Sequence, residues 1–151
     1  MSRVSSLRLR TSKGSTMVEL ALIFILFFSL LIGIFDFGQF LFIHQALVER
    51  ARWAARTGVA NSYTDDQIMN LVVYGQSTTG TSAYFGLSKG TITNGACTGG
   101  TVCAQDYDIN TDNYRTEVRI YNYPYVMLSP YSAGSYTGPN IYVDVPRGLY
   151  D

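Results

Sequence analysis

Residues 13–36 read KGSTMVELALIFILFFSLLIGIFD: a lysine and a glycine, a short polar step, a lone glutamate, then sixteen residues from Leu20 to Phe35 without a charge. That run is too long and too apolar for a surface helix and is bounded by Glu19 and Asp36. Non-polar character resumes after Asp36 as far as Ile43, so the predicted membrane element covers about 17–43. At a rise of about 1.5 Å per residue the two acids stand about 26 Å apart, near the roughly 30 Å of a hydrocarbon layer. Each carboxylate can therefore reach a headgroup region, and the lipid bilayer is the first partner the sequence names.

Charge is divided along the chain. The first fourteen residues carry Arg3, Arg8, Arg10 and Lys13 and no acid, whereas the rest holds seven basic and eleven acidic side chains. By the bias of cationic flanks toward the cytoplasm, the leader stays inside and everything after Ile43 stands across the membrane. The only basic cluster is thus held at the membrane and the remainder is acidic, which argues against nucleic acid as a partner. A cleaved secretory signal fits poorly: the apolar stretch exceeds the usual h-region, and Phe37 to Gln45 offers no small-x-small site.

The glycine lies on the cytoplasmic flank instead, directly before the hydrophobic block. Counted from the Gly14–Ser15 bond, Glu19 is the fifth residue. A Lys-Gly leader end, a glutamate at that place and an apolar helix behind it resemble the processing site of type IV prepilins and pseudopilins. The longer stretch resembles the N-terminal domain of TadE-like pseudopilins of tight adherence (Flp) pilus systems. The residues that carry this are Val18, Glu19, Leu20 and Ala21, then Asp36, Phe37 and Gly38, then the alanine- and arginine-rich run Ala46 to Ala60. Two departures stand out: Leu20 replaces the tyrosine common in related pilins, and Asp36 replaces a more usual glutamate.

The resemblance implies a minor pilin or pseudopilin that takes part in assembling or priming such a pilus. Its implied partners are a prepilin peptidase, other pilins and an inner-membrane assembly platform. It also implies a single pass through the bacterial inner membrane with a periplasmic head, with incorporation into an extracellular fibre left open. Cleavage would leave an amine on Ser15, and burying a cation among packed helices is costly without a counter-charge. Glu19, one helical turn on, can neutralise that amine or a neighbour's. Asp36 is the second candidate charge partner. The simpler alternative is an unprocessed single-pass anchor, with Glu19 snorkelling, that displays an adhesive or partner-binding head.

Ser29 and Gly33 form a small-xxx-small pair, with Gly38 further along, and such notches permit close helix contact in lipid; Gly33 could equally relieve crowding in a lone helix. Beyond Ile43 the pattern predicts one continuous helix over 15–58, its watery part showing Leu47, Ala51 and Ala54 or Ala55 on one face and an i, i+3 pair of Glu49 with Arg52. Trp53 is expected to pack onto the head, and His44, the sole histidine, to be a polar interface residue.

The head, 59–151, is expected to be a small α+β unit. Thr64 and Gln67 in capping-box spacing, Asp65 and Asp66 in the first turn and Gly75 as stop predict a short helix. Residues 76–90 read as loop. Val118 with Ile120, and Ile141 with Val143 and Val145, alternate as strands of a small antiparallel sheet, and Pro124, Pro130 and Pro139 suggest that these strands are short and edge-like. All twelve tyrosines fall in this half.

Cys97 and Cys103 bracket TGGTV and read as a small disulfide loop in an oxidising compartment, with metal binding the weaker alternative. Asp106, Asp108, Asn110, Asp112 and Glu117 match ligand positions of a calcium loop, but Thr111 stands where glycine should be, so a solvated acidic turn competes. No other cofactor is suggested. With no Ser-His-Asp grouping, no phosphate loop and no histidine in the head, an enzyme is not expected.

Overall fold

A computed structural model describes residues 13–93, 96–108, 114–127 and 134–147; for Lys13, Tyr107, Asp108 and Tyr114 it describes the backbone alone. Helix α1 runs without a break from Lys13 to Ala60, so its 48 residues span about 72 Å. It is the one helix among the described residues long and apolar enough to cross a membrane. The architecture is α+β: this long helix, the short α2 (Asp65–Tyr74), and strands β1 (Thr91–Thr93), β2 (Ala96–Thr98), β3 (Val102–Asp108), β4 (Tyr114–Ile120), β5 (Pro124–Val126), β6 (Ser135–Thr137) and β7 (Ile141–Pro146).

Among the described residues three antiparallel sheets form, β1-β2, β3-β4-β7 and β5-β6. In the central sheet Val118 lies between Ala104 and Val143, and Ile120 between Val102 and Ile141. These apolar residues face α1, which lies over β4 and β7, and α2, which lies over β3. Arg115, Glu117, Arg119, Tyr142 and Asp144 occupy the opposite face. The head is thus two layers, helices on one side of a three-stranded sheet, with its core at Leu47, Ala51, Ala54, Ala55, Ile68, Val72, Val102, Val118, Ile120 and Tyr123.

Several expectations needed correction. Strand β4 is central rather than edge-like, because β3 supplies a partner on its other side. Strand β3 shows no two-residue period because both of its faces are used: Val102, Cys103 and Ala104 are all buried in succession. Gly58 does not stop α1. It sits inside the helix, where a Cβ would come within 2.5 Å of Ile68 Cγ1, so glycine is there to let α2 approach. Within 76–90 a single 3₁₀ turn forms at Tyr84–Gly86. Helix α2 starts and stops as its sequence dictates, with Thr64 and Gln67 closing a reciprocal capping box and Gly75 in the left-handed region at φ 78°.

Candidate functional site

The lower part of α1 is bare. Every residue from Gly14 to Leu30 is exposed, including large apolar side chains such as Leu22, Phe24 and Phe27. A water-soluble protein would not leave such a surface uncovered. Within it Gly14 and Ser15 occupy the first turn and are open to solvent, and nothing lies within 4 Å of the place a Cβ on Gly14 would take. Glu19 is exposed one turn later on the same face as Ser15. Arg3, Arg8 and Arg10 lie outside the described residues.

Ser29 and Gly33 lie about 40° apart around the axis and present one open notch, since nothing is within 4 Å of the Gly33 Cβ direction. Gly38 does not extend that notch. Five residues carry it about 140° around the axis from Gly33, to a separate exposed point. Asp36 differs from Glu19 as well: it is buried, at 8% exposure. Of the two acids, Glu19 is the exposed one.

From Asp36 upward one stripe of α1 is covered, through Ile43, Leu47, Ala51, Ala54 and Ala55. Arg50 lies on this stripe and reaches the end of α2, where its Nε donates to the Val72 carbonyl at 2.5 Å and its Nη2 to Leu71 at 3.3 Å. Helix α2 has no basic residue in its own last turn. A cation from α1 thus satisfies its orphan carbonyls and opposes the negative end of its dipole. The guanidinium also lies 3.5 Å above the Tyr84 ring. The available sequence signal was an arginine seven residues after Ile43, on a stripe otherwise apolar.

His44 Nδ1 pairs with the Tyr123 hydroxyl at 2.9 Å, which makes it the polar interface residue expected. Tyr123 is fully buried, and burial pushes its phenol above the ordinary value, with Tyr125 nearby adding to the shift. Gly138 makes room for that ring: a Cβ there would fall 1.9 Å from Tyr123 Cζ. Glu49 and Arg52 form the expected surface pair at 3.1 Å. Trp53 does not pack on the head. It is 48% exposed, since it lies about 200° around the helix from Ala51 and faces away.

Residues 14–56 match the family model of the TadE-like proteins. Over this stretch the chain is similar to the TadE-like proteins. Comparison with curated proteins and with solved structures gives no match. The family belongs to tight adherence pilus systems and is not an enzyme family. The TadE-like segment contains Gly14, Ser15, Glu19, the Ser29 and Gly33 notch and Asp36, and ends just past the stem that docks the head.

The remaining sequence candidates lie beyond the TadE-like segment. Cys97 and Cys103 are joined in a disulfide that ties β2 to β3, and Cys103 is buried. Of the calcium pattern, Asp106 and Glu117 have described side chains, and these two do not converge. Asp106 pairs across the sheet with Thr116, whereas Glu117 pairs with Gln105, so the two acids point to opposite faces. Asp106 accepts from the Thr116 hydroxyl at 2.6 Å and meets Arg147, while Glu117 is held by Arg119. Asn110 and Asp112, and the side chain of Asp108, lie outside the described residues; among the described ones no group of three or more metal-binding side chains occurs. Asp106 instead faces Asp65. The Asp65 carboxyl is raised above its ordinary value first by burial and then by the Asp106 charge, with Arg147 opposing.

Proposed function

We propose that this chain is a minor pilin or pseudopilin, anchored by a single pass through the inner membrane, that takes part in assembling or priming a tight adherence pilus. The observation that carries the reading is the contrast within the TadE-like segment: its upper half is docked on the head while residues 14–30 are wholly exposed, with Glu19 as their one charge. Such a rod is suited to packing sideways against other apolar helices, in lipid or in a fibre. In this reading a prepilin peptidase cuts between Gly14 and Ser15, the basic leader stays cytoplasmic, and the head stands in the periplasm. Glu19 then compensates the new amine of Ser15 or that of a neighbouring subunit, which is worth most where water is absent.

Mass spectrometry of the chain from its own cells is the direct test. Ser15 at the amino terminus is expected; an intact leader in cells that carry the peptidase would sink processing and leave the unprocessed anchor with a displayed head. Deletion of the gene should abolish pili. Normal pili with failed attachment would instead assign the head an adhesive task.

A further inference from the structure

The strand pair β5-β6 lies beside α1 at Phe40, about 15 Å above the end of the bare part at Leu30. Residues Leu31 and Ile32 are the first half-buried positions above Leu30, and Asp36 one turn higher is enclosed. At this level the Phe40 ring packs on Tyr125 with centroids 5.1 Å apart, and Tyr125 stacks on Tyr136 at 5.7 Å. Both faces of the pair are partly open: Tyr136, cross-strand from Tyr125 on the face toward α1, is 37% exposed, and Val126 on the opposite face is 65% exposed. On the helix Phe37 and Phe42 are also exposed at this height.

Sequence adds an independent observation. From Ile120 to Val143 the chain has no Asp, Glu, Lys, Arg or His, although charges are frequent on either side of that run. A water-facing hairpin has no need to exclude every charge. A surface in contact with the polar edge of a bilayer favours tyrosine and uncharged residues, because an amphipathic ring keeps its hydroxyl in the headgroups and its carbons against the acyl chains. The height agrees. With Glu19 at one boundary, Phe40 lies about 32 Å along the axis, just past a hydrocarbon layer of about 30 Å and within the interfacial zone beyond it.

We propose that β5-β6 is a membrane foot, with Tyr125, Val126 and Tyr136 resting in the headgroup layer of the bilayer that α1 crosses. The foot rests on the reading of α1 as a membrane span. The charge-free run and the height along α1 name a lipid surface rather than a second copy as its occupant. Because α1 and the foot touch the layer at two separated points, together they fix the tilt of the rod and hold the head upright.

Fluorescence of the full chain in phosphatidylethanolamine and phosphatidylglycerol vesicles tests this. Trp53→Phe removes the only native tryptophan, and single reporters follow at Val126→Trp, Tyr136→Trp, Phe27→Trp and Tyr142→Trp. The expected result is quenching by lipids brominated near the headgroup at positions 126 and 136, with acrylamide quenching several-fold weaker there than at position 142 on the outer sheet face. The reporter at position 27 should respond to deeply brominated lipids. If it responds while 126 and 136 stay open to acrylamide and silent to bromolipid, the foot is overturned and the span survives. Protection at 126 and 136 without bromolipid quenching would assign the surface to a second copy and also overturn it. Silence at position 27 would remove the span and the foot together.

Discussion

The two halves of α1 are one uninterrupted helix with opposite surfaces. From Leu20 to Leu30 bulky apolar side chains point to every side of the helix and none of the described residues covers them; from Asp36 to Gly58 one stripe narrows to alanine and glycine and carries the head. Bulk on all sides suits a medium that solvates apolar groups from any direction, while small residues on one stripe let a sheet and a second helix come close. The difference shows that membrane anchoring and head docking are written into different segments of one element, and that mutations should separate them.

The largest separation is expected at Leu47. Leu47→Ala should destabilise the head by about 3 kcal/mol, read by urea unfolding in micelles with tyrosine near-ultraviolet dichroism, because the side chain is fully buried. Leu26→Ala in the bare half should leave that transition unmoved. An equal loss at both positions would break the comparison.

Arg50→Ala should cost about 2 kcal/mol in the same assay, since two carbonyls at the end of α2 lose a charged donor. Arg52→Ala, on the exposed side, should change little. Reduction of the Cys97–Cys103 bridge, or its replacement by serines, should cost about 2 kcal/mol for so short a loop.

The smallest effect is a pH dependence at the stem. Tyr123 has its phenol raised above the ordinary 10.0 in the folded state, so its contribution is fully present below pH 10.0 and is lost as pH rises through the higher folded value. The parent should therefore lose more stability than Tyr123→Phe between neutral and strongly alkaline solution, followed by denaturant midpoints. A parallel decline in the two proteins would remove Tyr123 from the alkaline transition. The variant also loses the His44 bond, which lowers its stability at neutral pH without altering the slope.

Local signals were legible in proportion to how much of their cause is local. The apolar run, the Thr64 and Gln67 box, the Gly75 stop, the Leu47 and Ala51 stripe and the Glu49 and Arg52 pair each depend on spacing within one or two turns, and each can be read from neighbours in sequence. The sequence by itself determined that a long helix carries a membrane-length apolar surface, and that a small tyrosine-rich α+β head follows it. Tertiary structure alone decided that Asp36 is enclosed while Glu19 is not, that Arg50 caps a helix 21 residues away, that β3 completes the sheet, and that Asp106 and Glu117 face opposite ways. The physical reason is common to all four: each depends on which distant segment arrives beside a residue, and periodicity along one strand or helix carries no record of what packs against it.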